Sequence, residues 1–159
     1  MIRKAFGIAL AVVAAALPVQ AQPPAKDPVE ARLEVRKVNR APDGRESVSA
    51  AESVKPGDVL EYVVTYRNHG ATPVRDFVAT LPIPQATELV PGSERPAGAG
   101  GSVDAREFRP VPLKRKVNRD GREIEEAVPF RDYRALRWTV PEFKAGQSLT
   151  YSARVKVLE

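Results

Sequence analysis

Leu149-Thr150-Tyr151-Ser152-Ala153-Arg154-Val155-Lys156-Val157 alternates apolar and polar side chains without a break. Successive side chains of an extended chain point to opposite faces. The stretch therefore predicts a β-strand with Leu149, Tyr151, Ala153, Val155 and Val157 inward and Thr150, Ser152, Arg154 and Lys156 toward water. The same period recurs upstream. Leu136, Trp138 and Val140 share one face, as do Phe77, Ala79, Leu81 and Ile83, and again Leu60, Tyr62, Val64 and Tyr66. In V-E-A-R-L-E-V-R-K-V from Val29, the apolar Val29, Ala31, Leu33 and Val35 alternate with Glu30, Arg32, Glu34 and Arg36, which predicts a strand with one wet face. Five such segments and no stretch of helical period predict an all-β domain.

The punctuation agrees. Asp43-Gly44, Pro56-Gly57-Asp58, Asn68-His69-Gly70, Pro91-Gly92-Ser93, Asp120-Gly121 and Ala145-Gly146 are turn sequences. Prolines spread from Pro23 to Pro141 disfavour long helices. R-K-V-N-R-A-P-D-G-R-E from Arg36 and R-K-V-N-R-D-G-R-E from Arg115 are near copies, and each predicts a charged hairpin in which Gly supplies positive φ. Their flanks differ, so they are two solutions to turning and no domain repeat. Ser93 to Gly101 has no apolar pattern and reads as a mobile loop. Phe108 to Val128 reads as an excursion carrying the second hairpin.

The amino end begins M-I-R-K, runs apolar from Ala5 to Leu17, and reaches Val19-Gln20-Ala21. A basic start, a short apolar run and small residues before Gln22 predict a signal peptide over 1–21. Removing those 21 residues from 159 leaves 138, which suits one domain. Arg3 and Lys4 leave with it, so the formal charge falls from +5 to +3. Charges of both signs are interleaved along the chain, and nucleic acid is not expected as a partner. No second apolar run of spanning length follows, so no membrane span is expected after cleavage. The chain has no cysteine, and stability rests on a hydrophobic core. Residues 22–28, Q-P-P-A-K-D-P, read as a flexible Pro-rich leader, and 29–159 as the folded domain.

The series V-K-P-G-D-V-L-E-Y-V-V-T-Y-R-N-H-G-A-T-P-V from Val54, I-P-Q-A-T-E-L-V-P-G-S from Ile83 and L-R-W-T-V-P-E-F-K-A-G-Q-S-L-T-Y-S-A-R-V-K-V from Leu136 resembles the prokaryotic immunoglobulin-like repeat called domain of unknown function eleven. Its most specific part is the P-G-D, aromatic, N-x-G-x-x-P series from Pro56 to Pro73. The resemblance implies an immunoglobulin-like antiparallel β-sandwich of about seven strands. It implies an exported or surface protein with a structural or adhesive role, here in a single copy.

A Ser-His hydrolase needs a nucleophile beside a base, but the one histidine, His69, sits in a turn and Ser93 lies in P-G-S-E with no G-x-S-x-G elbow. Without cysteine, zinc would have one histidine and carboxylates. For calcium, Asp76, Asp104, Glu107 and Asp120 lie in or near loops, yet no D-x-D-x-D-G series is present. Glu125 and Glu126 are adjacent and face opposite ways in a strand, which does not suit glycoside cleavage. Gly98, Gly100 and Gly101 do not form a phosphate cradle. Tyr133 and Trp138 offer sugar-stacking rings, although Trp138 belongs to the apolar alternation. No cofactor is expected.

The leading expectation is therefore a non-enzymatic module of the cell envelope whose partner is an envelope protein or surface polymer. The alternative is binding of an anionic envelope polysaccharide or glycan by the basic hairpin residues Lys114, Arg115, Lys116, Arg119 and Arg122. A hydrolase is the third reading. Bare sheet edges open a route to self-association.

Overall fold

The structure is a computed structural model and describes residues 28–159. The expected signal peptide (1–21) and almost all of the leader lie outside the described residues. Pro28 is the exception, and its carbonyl accepts the His69 N–H at 2.7 Å.

The described residues hold eleven strands, nine of them in the two sheets of an immunoglobulin-like antiparallel β-sandwich. They are β1 (Val29–Arg40), β2 (Glu46–Ala50), β3 (Val59–Asn68), β4 (Val74–Pro82), β5 (Thr87–Leu89), β6 (Gly100–Ser102), β7 (Arg109–Pro110), β8 (Lys114–Arg119), β9 (Arg122–Ala127), β10 (Ala135–Phe143) and β11 (Ser148–Val157). One sheet has the order β2-β1-β3-β11-β5, the other β4-β10-β6-β7, and β8-β9 stands apart as a two-stranded ribbon. Seven strands remain when β2, β7 and the ribbon are set aside, which is the expected sandwich with additions at its edges.

All five alternating segments are strands. In β11, Tyr151, Ala153 and Val155 are buried while Thr150 and Lys156 are exposed. Opposite it, Leu60 and Val64 of β3 and Ala79 and Leu81 of β4 are buried. A row of rings crosses between the sheets: Phe143 to Phe77 at 4.8 Å, Phe77 to Tyr66 at 5.1 Å, Tyr66 to Tyr151 at 6.3 Å and Tyr151 to Trp138 at 4.8 Å. Each such contact adds about 1 kcal/mol beyond the area it buries. Trp138 Nε1 donates to the Pro96 carbonyl at 2.8 Å, so its polar edge is satisfied inside.

Two expectations are corrected. In β1, Ala31 and Leu33 are exposed, Leu33 by 47%, although they point to the same side as the buried Val64. The close inter-sheet approaches are those of β4 to β3 and β11, and β1 lies on the far side of β3 from β11, beyond that cover. The Asp43-Gly44 hairpin forms as its turn sequence predicts, Gly44 at φ 85° folding Glu46–Ala50 back on Arg36–Arg40. The Ser93–Gly101 segment is packed. Arg95 and Ser152 exchange two backbone hydrogen bonds of 2.8 Å, and Ala99 is buried.

Asn68 ties two turns together. It is fully buried, its Nδ2 donates to the carbonyls of Thr72, Phe143 and Lys144, and its Oδ1 accepts the Gly70 N–H. Its backbone exchanges bonds with Gln147 and Gly146. The β3–β4 and β10–β11 connections thus share one side chain. The Pro56-Gly57-Asp58 turn is likewise joined to the end of β11, through Gly57 N–H to Val157 O and Val157 N–H to Asp58 O, both 2.9 Å.

Candidate functional site: the β8–β9 ribbon

The second charged repeat folds as the hairpin it predicts. Asp120 (φ 53°) and Gly121 (φ 77°) are both left-handed, the condition for a tight two-residue return matched to strand twist. Gly121 N–H donates to Asn118 Oδ1 at 2.9 Å. The base is anchored in the core, where Leu113 and Val128 are buried, the Val128 N–H meets the Leu113 carbonyl, and the Leu113 N–H donates to the Tyr133 hydroxyl at 2.6 Å. Beyond that base the two strands pair only with each other.

The structure brings Lys114, Arg115, Lys116, Arg119 and Arg122 together, but does not leave them as a free cationic patch. Lys114 Nζ is 3.2 Å from Glu125, Lys116 Nζ 2.7 Å from Glu123, and Arg115 and Arg119 reach opposite oxygens of Glu126 at 2.7 and 3.1 Å. Between Lys114 and Ala127 the five basic side chains face four acidic ones. Arg122 is the one of the five in none of the ion pairs among the described residues. Strand alternation sorts the ribbon into two faces. One carries Lys114, Lys116, Glu123 and Glu125. The other carries the apolar pair Val117 and Ile124, directly opposite in register, framed by Arg115, Arg119, Arg122 and Glu126. Ile124 is 37% exposed.

That apolar stripe and the facing glutamates follow from folding R-K-V-N-R-D-G-R-E-I-E-E about Asp120-Gly121. Counting basic residues along one strand alone misses them. At the foot of the ribbon a cleft of about 270 Å³ is lined by Asp104, Glu107 and Asp132 against Arg109, Lys114 and Arg115.

The other sequence candidates are dispersed. Ser93 Oγ donates to the Val90 carbonyl at 2.6 Å and accepts the Arg154 N–H, at one end of β11. His69 adjoins the strand end where Arg67 pairs with Ser148, six residues along β11 and so about 20 Å away. Its Nε2 lies 2.7 Å from Glu30 Oε2 at the surface. Ser93 and His69 do not form a dyad. Asp76 lies in β4, Asp120 at the ribbon tip, and Asp104 caps its own loop, accepting from Arg106 N, Glu107 N and Ser102 Oγ. Those hydrogen bonds lower the Asp104 carboxyl to about 2. Among the described residues no three His, Cys, Asp or Glu side chains converge as metal ligands. Tyr133 is fully buried, its hydroxyl pushed up by burial, and Trp138 is core, so neither ring is open to a sugar. No described helix is long and apolar enough to cross a membrane. No family model, curated protein or solved structure matches the chain.

Proposed function

We propose that the chain is an exported, non-enzymatic immunoglobulin-like module that acts in the cell envelope by docking another protein through the β8–β9 ribbon. The ribbon carries this reading. It projects from a sandwich whose core it does not complete, and a two-stranded hairpin contributes little stability of its own. An apolar pair framed by arginines is the composition of a contact surface, where Arg is favoured and bulk charge is not. The signal-peptide pattern of the amino end and the resemblance to exported immunoglobulin-like repeats support the address.

The test is site-specific photocrosslinking in cells, with a photoreactive residue at Ile124 and, as control, at Val48 on the exposed β2 strand. A discrete adduct at Ile124 that disappears in Arg119→Ser/Arg122→Ser is the expected result. No adduct at Ile124, or an equal one at Val48, sinks the reading.

A further inference from the structure

The outer face of the β4-β10-β6-β7 sheet holds a second feature, on a different sheet from the ribbon. Arg137 of β10 lies between Thr80 of β4 and Gly100 of β6. Phe108 lies beside Gly100, where a Cβ would meet the Phe108 Cβ at 3.5 Å, an ordinary contact. The Phe108 ring stacks on the guanidinium, with the Arg137 Cζ 3.6 Å from the ring centroid. That contact fixes the plane of the guanidinium without neutralising its charge.

Arg137 has no compensating carboxylate. It is in none of the ion pairs among the described residues, and its Nε is buried with no hydrogen-bond partner. It lines an open cleft of about 450 Å³ together with Arg109, Thr139, Phe108 and the Gly98–Gly100 backbone, and no acidic side chain lies on the wall. A half-buried cation outside the ion pairs, held flat at the side of a cleft that supplies a hydroxyl and a second arginine, Arg109, itself paired with Glu107 at 3.1 Å, is matched by one ligand chemistry. A planar carboxylate takes two parallel N–H donors from a guanidinium.

We propose that this cleft binds a compact carboxylate ligand, the carboxylate seated on Arg137 and the body of the ligand resting against Phe108 and Thr139. The volume accommodates one sugar acid or one C-terminal amino-acid residue. This site goes beyond the docking role of the ribbon and stands whether or not that role does.

Titrations followed by amide NMR decide it. The probes are glucuronate and N-acetylalanine, with glucose and N-acetylalanine amide as uncharged counterparts. Expected are saturable shifts at Gly98, Gly100 and Phe108 in the millimolar range for at least one acid and none for its neutral counterpart. Which acid binds more tightly separates a saccharide source from a peptide terminus. Arg137→Gln abolishes the response, and Arg137→Lys, which keeps the charge but loses the fork, weakens it about tenfold. Should Arg137→Gln fail to fold, Phe108→Ala serves instead and weakens binding about threefold. Flat titrations with both acids, equal shifts with the neutral probes, or full binding by a folded Arg137 or Phe108 variant overturn the proposal.

Discussion

The Tyr66 hydroxyl plugs the open edge of β4 at Thr80. It donates to the Thr80 carbonyl at 2.8 Å and accepts the Thr80 N–H at 3.1 Å, filling the place a neighbouring strand would take. Pro82, two residues on and presenting the same edge, has no N–H, and Asp76, two before Val78, is left-handed at φ 50°. Pairing with β10 skips Asp76 opposite Pro141. The edge nearest the uncovered part of β1 is thereby blunted by a phenol, a proline and a kink, three devices that keep sheets from pairing with strangers.

Tyr66→Phe removes the plug while keeping the ring contacts. It leaves two half-buried backbone groups without partners, for a loss of about 1–3 kcal/mol in urea unfolding. The variant also sediments with a concentration-dependent mass where the parent does not. An unchanged unfolding midpoint and mass contradict the plug.

Asn68 donates to three carbonyls and accepts one amide, so replacing its nitrogen with oxygen reverses the electrostatics of the site. Asn68→Asp is expected to lose about 3 kcal/mol or more at pH 7, and to recover part of it at pH 4 where the carboxyl is protonated and can donate. Denaturant curves at the two pH values check this. Equal losses at both would mean that the amide is not the donor.

Gly101 has no room for a methyl group. A Cβ there would meet Tyr133 Cε1 at 2.8 Å, and that ring is stacked on Phe130 at 5.1 Å and held by the Leu113 N–H. Gly101→Ala therefore costs about 1–3 kcal/mol, as overpacking does. Gly101→Ala in a Tyr133→Leu background, which supplies the missing space, should cost less than in the parent. Additive losses would show that the ring is not the obstacle.

Acid should weaken the fold in a defined window. The Asp104 carboxyl is lowered from 3.8 to about 2 by the amides and hydroxyl around it, and Glu34, Glu46 and Asp58 are lowered by hydrogen bonds from Arg36, Arg154 and Lys37 respectively. A group whose folded value is depressed stabilises fully above its unfolded value, and the gain is lost as pH falls through the folded one. Thermal midpoints should hold steady down to about pH 5 and fall between there and pH 2. In Asp104→Asn the lowest part of that decline should be shallower. An identical decline would remove Asp104 from the account.

The strands that bury one face were legible because core and water impose a period of two. β11 is the cleanest instance, flanked by a partner on each side and covered by the opposing sheet. Where cover ends, the same pattern misleads: Ala31 and Leu33 keep the alternation but lie beyond the second sheet. Arg95 and Ala99 belong to a stretch with no period at all, and it is held by two backbone bonds and one buried methyl group, which leave no mark in composition. The hairpin at Asp120-Gly121 was legible from turn chemistry, whereas its charge state depended on which residue faces which. Arg137 reads as an ordinary wet-face cation until Gly100 and Phe108 are placed beside it in space.

The pairing of lysines and arginines with glutamates along β8 and β9 has a kinetic meaning. A ribbon whose ions cancel at close range casts only a weak field a Debye length, about 8 Å, from its surface. It gives a partner little long-range steering, so the two meet at the unsteered diffusional rate, and the rate of encounter should be almost indifferent to ionic strength.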